Sequence, residues 1–100
     1  MSFRHHKVKK DANHKDIVDA LVSLGCAVTD CAALKNEFDI LVGYKGKLHI
    51  MEIKDGNKPK SARKLTDGEL KCMDKYSKVG IKYNVVLSVE DAIKIIMGEK

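Results

Sequence analysis

One hundred residues, 44% of them hydrophobic, can form one small domain with a single core, which excludes a chain of several domains. No apolar run approaches a membrane span and no apolar signal stretch opens the chain, so we expect one soluble, cytoplasmic domain over residues 1–100 with no membrane partner. The net charge of +5 suits a polyanion such as nucleic acid, although a solvated basic surface would give the same sum.

The first third of the chain predicts a helix followed by a strand. Residues 1–10 are polar and basic and predict a flexible arm. Apolar side chains at helical spacing then predict a helix over residues 13–24, which ends at Gly25. A short strand is expected over residues 26–29, and the pattern assigns no structure to residues 30–37.

The middle of the chain predicts a β-hairpin. Its strands cover residues 38–42 and 47–54, and they are joined by a tight turn at Lys45 and Gly46. A basic loop over residues 55–64, which contains the single proline, follows the second strand.

The last third predicts a helix, a strand and a second helix. The sequence from Thr66 to Glu69 has the pattern of a capping box, which opens a helix to about residue 77. A strand rich in β-branched residues is expected over residues 83–87, and Ser88 caps a final helix. The order αβββαβα predicts an α/β fold in which a mixed sheet is covered by helices.

The hairpin brings three charged side chains to one face. A two-residue loop pairs Tyr44 with Lys47, and counting outward from that pair places Asp39 opposite Glu52. Lys54 lies on the same face, because it follows Glu52 by two residues. Since strands often carry charges on a wet face, Glu52 and Lys54 are not expected to pack in the core.

The carboxylates of Asp39 and Glu52, placed opposite each other, are expected to repel. At an effective dielectric of about 20 they repel by roughly 3 kcal/mol at about 5 Å, unless a cation lies between them. Mg²⁺ is bound by one or two carboxylates together with waters and phosphate oxygens, and a neighbouring ammonium can stabilise charge on a phosphate. Phosphodiester hydrolysis is the chemistry that such a set performs. The alternative is a solvent-facing Glu/Lys edge with Asp39 in a turn, and spacing alone leaves both open.

The same residues carry a family resemblance. Asp39 followed by "EIK" at 52–54 resembles the PD-(D/E)XK nuclease superfamily. The segments "DANHKDIVDALVSLG", "FDILVGYKG", "MEIKDG", "KPKSARKLTDGE" and "VVLSVEDAI" resemble the small phage-type VRR-NUC nucleases over about residues 8–96. The resemblance implies a restriction-endonuclease-like αβββαβ core. It also implies DNA cleavage that depends on Mg²⁺ or Mn²⁺, and a homodimer that acts on branched DNA such as Holliday junctions. If the chain is phage-encoded, the expected cytoplasm is that of a bacterial host.

The resemblance also assigns roles to residues. Asp39 and Glu52 correspond to the metal-binding carboxylates, the backbone carbonyl of Ile53 to a further ligand, and Lys54 to the catalytic lysine. Phe38 stands where the motif has proline.

Many relatives place a glutamate on the first helix, and here that position falls at about His14. Helical geometry turns both Asn13 and His14 towards the sheet and Asp16 away from it. His14 is therefore a catalytic candidate that holds a water or a phosphate, whereas Asn13 has either this role or that of a helix cap.

The basic loop is the predicted DNA-binding surface. Lys58, Lys60, Arg63 and Lys64 follow the ExK motif closely, and basic side chains there can contact backbone phosphates without reading sequence. A solvated loop is the alternative.

The predicted function is a metal-dependent, structure-selective endodeoxyribonuclease. A nicking or trimming nuclease with the same site remains possible, as does an inactive DNA-binding module of the same fold.

Overall fold

A four-stranded sheet organises residues 10–98, the part of the chain that the computed structural model describes. The predicted order αβββαβα is confirmed, and a short 3₁₀ helix over Lys60–Arg63 lies in the basic loop. The predicted arm falls outside the described residues except for Lys10. No helix within 10–98 has the length and apolar character needed to cross a bilayer. The helices are α1 (His14–Ser23), α2 (Asp67–Ser77) and α3 (Val89–Ile96), and the strands are β1 (Ala27–Asp30), β2 (Ile40–Tyr44), β3 (Lys47–Ile53) and β4 (Tyr83–Val86).

The β2–β3 hairpin has the predicted register. The strands lie in the order β1-β2-β3-β4, with antiparallel pairing along the first three and parallel pairing of β4 with β3. Lys45 and Gly46 have φ angles of 48° and 80°, the positive values of a type I′ turn, whose twist matches that of the strands. Tyr44 consequently pairs with Lys47, and Ile40 with Met51.

The two faces of the sheet bury different helices. Alternate residues of β2 and β3, among them Ile40, Val42 and Met51, form the larger core with α1 and α3. The opposite face contributes Ile50 and Tyr83 to a smaller cluster under α2. Glu52 follows Ile50 by two residues and therefore lies on the α2 face of the sheet.

Helix α1 presents the predicted face. His14, Ile17 and Leu21 are buried, and Asp16 is exposed, as the helical spacing indicates. Leu24, the last residue of the predicted helix, is 40% exposed, because it lies at the C-cap, beyond the last helical turn.

Helix α2 begins with the predicted capping box. The Thr66 hydroxyl accepts from the Glu69 amide at 3.2 Å, and the Glu69 carboxylate accepts from the Thr66 amide at 2.9 Å. The neighbouring Gly68 approaches Asn36 so closely that a Cβ there would lie 2.1 Å from the Asn36 Oδ1 atom. The loop over residues 31–38 is thus pressed against the first turn of α2.

Strand β2 begins two residues later than predicted. Pairing with β1 starts at Ile40 and Asp30, and the preceding loop directs Phe38 towards α2, where its ring packs edge-on against Tyr76 with 6.0 Å between centroids. Asp39 keeps two ladder-like contacts: its amide donates to the Met51 carbonyl at 3.1 Å, and its carbonyl accepts from the Cys31 amide at 2.7 Å. Asp39 therefore stands at the mouth of the hairpin.

Candidate functional site

An acidic cavity of about 230 Å³ opens where β3 ends, beside the first turn of α2. Five of its lining residues carry carboxylates and two carry ammonium groups, so it is negative in a chain whose net charge is +5. Such a cavity repels a polyanion unless it also holds a cation. The lining residues are Asp11, Ala32, Leu34, Lys35, Asn36, Glu37, Phe38, Asp39, Glu52, Lys54, Thr66 and Glu69.

Asp39 is fixed against the end of β3. Its Oδ2 atom accepts a hydrogen bond from the Ile53 amide at 2.7 Å. Burial raises the pKa of the Asp39 carboxyl above its ordinary value, and the hydrogen bonds from the Ile53 amide and from Glu52 offset this only in part. In a strand the amide and carbonyl of one residue point to the same side, so the Ile53 carbonyl also lies on the Asp39 side.

Glu52 is buried, with 5% of the residue exposed. The expectation that it would lie outside the core was wrong, because α2 covers this face of the sheet. Its Oε1 atom accepts from the Tyr83 hydroxyl at 3.3 Å, and its Oε2 atom lies 3.6 Å from Lys54 Nζ. Burial, a hydrogen bond with Glu69 and the charge of Asp39 raise the pKa of Glu52 to about 9.

The Asp39–Glu52 pair therefore holds a proton at neutral pH. Burial disfavours charge on both carboxyls, and the charge of Asp39 further raises the pKa of Glu52, whereas a hydrogen bond from Glu52 lowers the pKa of Asp39. A cation between them would replace that proton. The proton thus relieves the repulsion between two ionised carboxylates that the hairpin register predicts.

Lys54 connects the hairpin with α2. Its Nζ atom donates to Glu69 Oε1 at 2.9 Å, and only 12% of its side chain is exposed. Burial alone would lower the pKa of the Lys54 ammonium, but the hydrogen bond and charge of Glu69 more than offset it and raise that pKa. Lys54 is consequently a cation and a hydrogen-bond donor at neutral pH.

Asn13 fixes the backbone of Lys54. Its side-chain amide donates to the Lys54 carbonyl at 3.2 Å and to the Leu87 carbonyl at 3.0 Å. It stands at the N-cap position of α1 but makes no side-chain cap. Its side chain therefore joins the ends of β3 and β4 behind the cavity.

His14 faces the sheet as predicted but does not line the acidic cavity. Only 4% of the residue is exposed, and its Nε2 atom lies 3.2 Å from Asp30 Oδ2. The Nδ1 atom is buried and has no hydrogen-bond partner within the described part of the chain. The structure thus places His14 in a second group with Asp30 and Lys10, whose Nζ atom is 2.8 Å from the same Asp30 oxygen.

The donors available to a metal ion are few. No three His, Cys, Asp or Glu side chains between residues 10 and 98 are arranged to hold an ion by side chains alone. Asp39 and Glu52, with the Ile53 carbonyl, offer two carboxylates and one carbonyl. This set fits Mg²⁺ or Mn²⁺, which bind proteins through one or two carboxylates and keep several waters.

The predicted DNA-binding residues lie on the loop between Lys54 and Thr66, both of which line the cavity. Lys60 and Lys64 are exposed, and Arg63 is half-buried. The Nζ atom of Lys58 lies 3.5 Å from the Asp11 carboxylate, another residue of the cavity. The basic loop therefore borders the acidic cavity.

Sequence reasoning missed four charged residues of the cavity, which are Asp11, Lys35, Glu37 and Glu69. Glu69 was assigned only to the capping box, although that pattern also indicates a carboxylate at a helix start. Asp11 opens the first segment that carries the family resemblance but was given no role, and Lys35 and Glu37 lie outside every motif. The cavity forms only when the segments that carry these residues, far apart in the chain, come together.

No family model and no curated protein matches the sequence. A solved structure described as a VRR_NUC domain matches 87% of this chain and 94% of that chain, with 22% sequence identity and a TM-score of 0.63. The chain therefore has the fold of a VRR_NUC domain, as the resemblance of its motifs implied.

Proposed function

We propose that this protein is a metal-dependent endodeoxyribonuclease that hydrolyses phosphodiester bonds. The observation that carries the proposal is the grouping of Asp39, Glu52 and Lys54 in one acidic cavity beside a basic loop. The VRR_NUC fold supports it, because that name describes a nuclease domain.

Asp39, Glu52 and the Ile53 carbonyl would hold the ion, Mg²⁺ or Mn²⁺. An ion held there would supply Lewis-acid chemistry, polarising a phosphodiester oxygen and lowering the pKa of a water. Two of its ligands come from neighbouring residues of β3 and the third from the mouth of the hairpin. The pairing of β2 with β3 therefore sets the spacing of the donors.

Lys54 supplies a fixed positive charge. Because its ammonium is held by Glu69 at 2.9 Å and by Glu52 at 3.6 Å, it is oriented before substrate arrives. An ammonium has three protons, so Lys54 can still donate to a water or to a phosphate oxygen. Its raised pKa makes it a stabiliser of developing negative charge rather than a base.

The basic loop would position the DNA. Lys58, Lys60, Arg63 and Lys64 can neutralise backbone phosphates on either side of the scissile bond, which orients the strand without reading its sequence. Lys35, which also lines the cavity, would extend this surface.

Branched DNA and a homodimer are the finer parts of the proposal. A four-way junction is resolved by two cuts, and one chain offers one Asp39–Glu52–Lys54 site, so a two-fold dimer would supply both. The terminal helix offers one candidate contact, since Met97 at its end is 45% exposed, although Ile96 is core and only 7% exposed. Exposed apolar side chains at the other end of the sheet, among them Leu48 and Ile81, are better placed for a contact between subunits.

The test is cleavage of labelled linear, flapped and four-way DNA with Mg²⁺, with Mn²⁺ and with a chelator. We expect metal-dependent cuts in the four-way substrate that Lys54→Ala abolishes. Cuts confined to linear or flapped DNA would support a nicking or trimming nuclease instead. Tight DNA binding without cleavage in either metal would show an inactive DNA-binding module.

A further inference from the structure

We infer that Tyr83 is a positioning residue, whose hydroxyl orients the Glu52 carboxylate and links it to the loop that forms one wall of the cavity. This inference rests on the proposed function, since it concerns the metal site. Tyr83 was expected only to belong to a β-branched strand, and none of the roles described above uses its hydroxyl.

The position of Tyr83 follows from the parallel pairing of β3 with β4. In this pairing Ile50 lies beside Tyr83, and Glu52 lies beside Val85. Tyr83 and Glu52 are thus diagonal neighbours on the α2 face of the sheet. The ring lies along the sheet under α2, in the cluster with Ile50 and Cys72, and its hydroxyl reaches the cavity.

The Tyr83 hydroxyl has two partners and one proton. It lies 3.3 Å from Glu52 Oε1 and 3.1 Å from the Glu37 backbone carbonyl. When Glu52 is protonated, its carboxyl can donate to Tyr83 while Tyr83 donates to Glu37. When Glu52 is ionised, the same hydroxyl can turn its proton to the carboxylate. Tyr83 therefore suits both states of Glu52 without a movement of the ring.

Burial makes this hydrogen bond decisive for the orientation of Glu52. Tyr83 is 6% exposed and Glu52 is 5% exposed, so water does not readily replace the hydroxyl. Tyr83 holds Oε1, while Lys54 is on the Oε2 side. A carboxylate held at both oxygens cannot rotate freely, and groups that orient metal ligands affect metal affinity strongly.

The same hydroxyl reaches the cavity wall through Glu37. The Glu37 carboxylate accepts from Lys75 of α2 at 2.9 Å, while its carbonyl faces Tyr83. Glu37 is therefore held from α2 and from β4. It stands two residues before Asp39, so the wall and both carboxylates are joined through Tyr83.

The test compares Tyr83→Phe with Tyr76→Phe. Both variants remove one tyrosine hydroxyl from the layer between α2 and the sheet, but Tyr76 lies on α2 and packs against Phe38, so its replacement leaves the partners of Glu52 in place. Mn²⁺ affinity is measured by calorimetry, thermal unfolding is followed with and without Mn²⁺, and cleavage is measured over a range of Mn²⁺ concentrations.

We expect Tyr83→Phe to raise the Mn²⁺ dissociation constant about 10- to 100-fold, and Tyr76→Phe to change it less than about twofold. Cleavage by Tyr83→Phe should return to within a few-fold of wild type at saturating Mn²⁺, because Tyr83 is buried and acts only through Glu52.

An unchanged dissociation constant in Tyr83→Phe, even with a lowered melting temperature, would make the hydroxyl merely structural and overturn the inference. Equal losses of affinity in both variants would do the same, since they would reflect general loosening of the layer. If the wild-type protein binds Mn²⁺ and cleaves DNA, and Tyr83→Phe has the same Mn²⁺ affinity, this inference alone is overturned. A wild-type protein that neither binds Mn²⁺ nor cleaves overturns the proposed function as well.

Discussion

Lys54, directly after β3, and Glu69, in the first turn of α2, are 15 residues apart in sequence and form an ion pair with 2.9 Å between Nζ and Oε1. The Glu69 oxygen that accepts a hydrogen bond from Lys54 also accepts one from the Thr66 amide. One carboxylate oxygen thus caps a helix and orients the candidate catalytic lysine. These two tasks can be separated by substitution.

Glu69→Gln should reduce cleavage and leave stability nearly unchanged. Glutamine can still close a capping box, but it removes the charge that orients Lys54 and raises its pKa. We expect a loss of about 10-fold or more in the cleavage rate, in the range typical of groups that orient active-site residues.

Thr66→Ala is the matched control for Glu69→Gln. It removes the side-chain cap and should cost about 1 kcal/mol of stability, while the Lys54–Glu69 pair and the cleavage rate persist. Urea denaturation and single-turnover cleavage measure the two effects. The assignment is wrong if both variants lose activity only in proportion to their loss of stability.

Glu52→Gln should flatten the pH dependence of stability of the metal-free protein. The pKa of Glu52 is raised by burial from 4.5 to about 9, so between these values the folded state holds a proton that the unfolded chain has released. The free energy of unfolding should therefore fall as the pH rises through this range. Glutamine does not titrate, so the variant should lose most of this fall.

Urea denaturation at about pH 5, 7 and 8.5 measures the slope for wild type and variant. Glu90→Gln, at an exposed position of α3, is the control and should keep the wild-type slope. Saturating Mn²⁺ should also flatten the wild-type curve, because the ion replaces the proton. Parallel slopes for wild type and Glu52→Gln would show that Glu52 titrates near its ordinary value.

Replacing Lys58, Lys60 and Lys64 by glutamine should weaken binding to every DNA structure alike. All three side chains are exposed on the loop beside the cavity, and each phosphate contact releases counterions. The slope of log affinity against log salt should become shallower by about 2 to 3, as expected for three lost contacts.

The control variant carries the same change in net charge elsewhere on the surface: glutamine replaces Lys47, Lys82 and Lys94. All three are exposed, and Lys47 and Lys82 lie at the N-terminal ends of β3 and β4, away from the cavity. Fluorescence anisotropy at several salt concentrations compares the two variants. If both triple variants lost the same amount of salt dependence, DNA binding would depend on the net charge of the protein and not on the basic loop.

The protein should be a homodimer that linearises cruciform plasmids. Light scattering should give about twice the chain mass of 11.1 kDa, and both strands should be cut before the complex dissociates. A heterodimer of wild-type and Lys54→Ala chains, purified with two tags, should nick the plasmid instead. A monomer at micromolar concentration that only nicks would leave the trimming nuclease as the better account.

The sequence predicted the local part of the site. A two-residue turn with positive φ at Lys45 and Gly46 sets the hairpin register, so the approach of Asp39 to Glu52 needed only counting. The burial of His14 followed from helical spacing in the same way. The hairpin pairing and the buried face of the helix are both determined by geometry within one short segment of the chain.

The remaining parts of the site depend on how distant segments pack. The contact of Lys54 with Glu69 requires α2 to dock on β3, and that of Glu52 with Tyr83 requires a parallel register that no turn sets. The burial of Glu52 was mispredicted for the same reason. A charged strand residue is expected to face water unless a helix, placed there by the rest of the fold, covers it.

The contacts of the Asn13 side chain indicate the order in which the parts of the site form during folding. Asp39 and Ile53 are 14 residues apart and can meet as soon as the hairpin closes, whereas Asn13 and Leu87 are 74 residues apart. Contacts that close long loops form slowly. The approach of Asp39 to Glu52 should therefore form early in folding, and the hydrogen bonds of Asn13 to the carbonyls of Lys54 and Leu87 should form late. A chain truncated before Leu87 should accordingly keep the hairpin but not a cleavage-competent cavity.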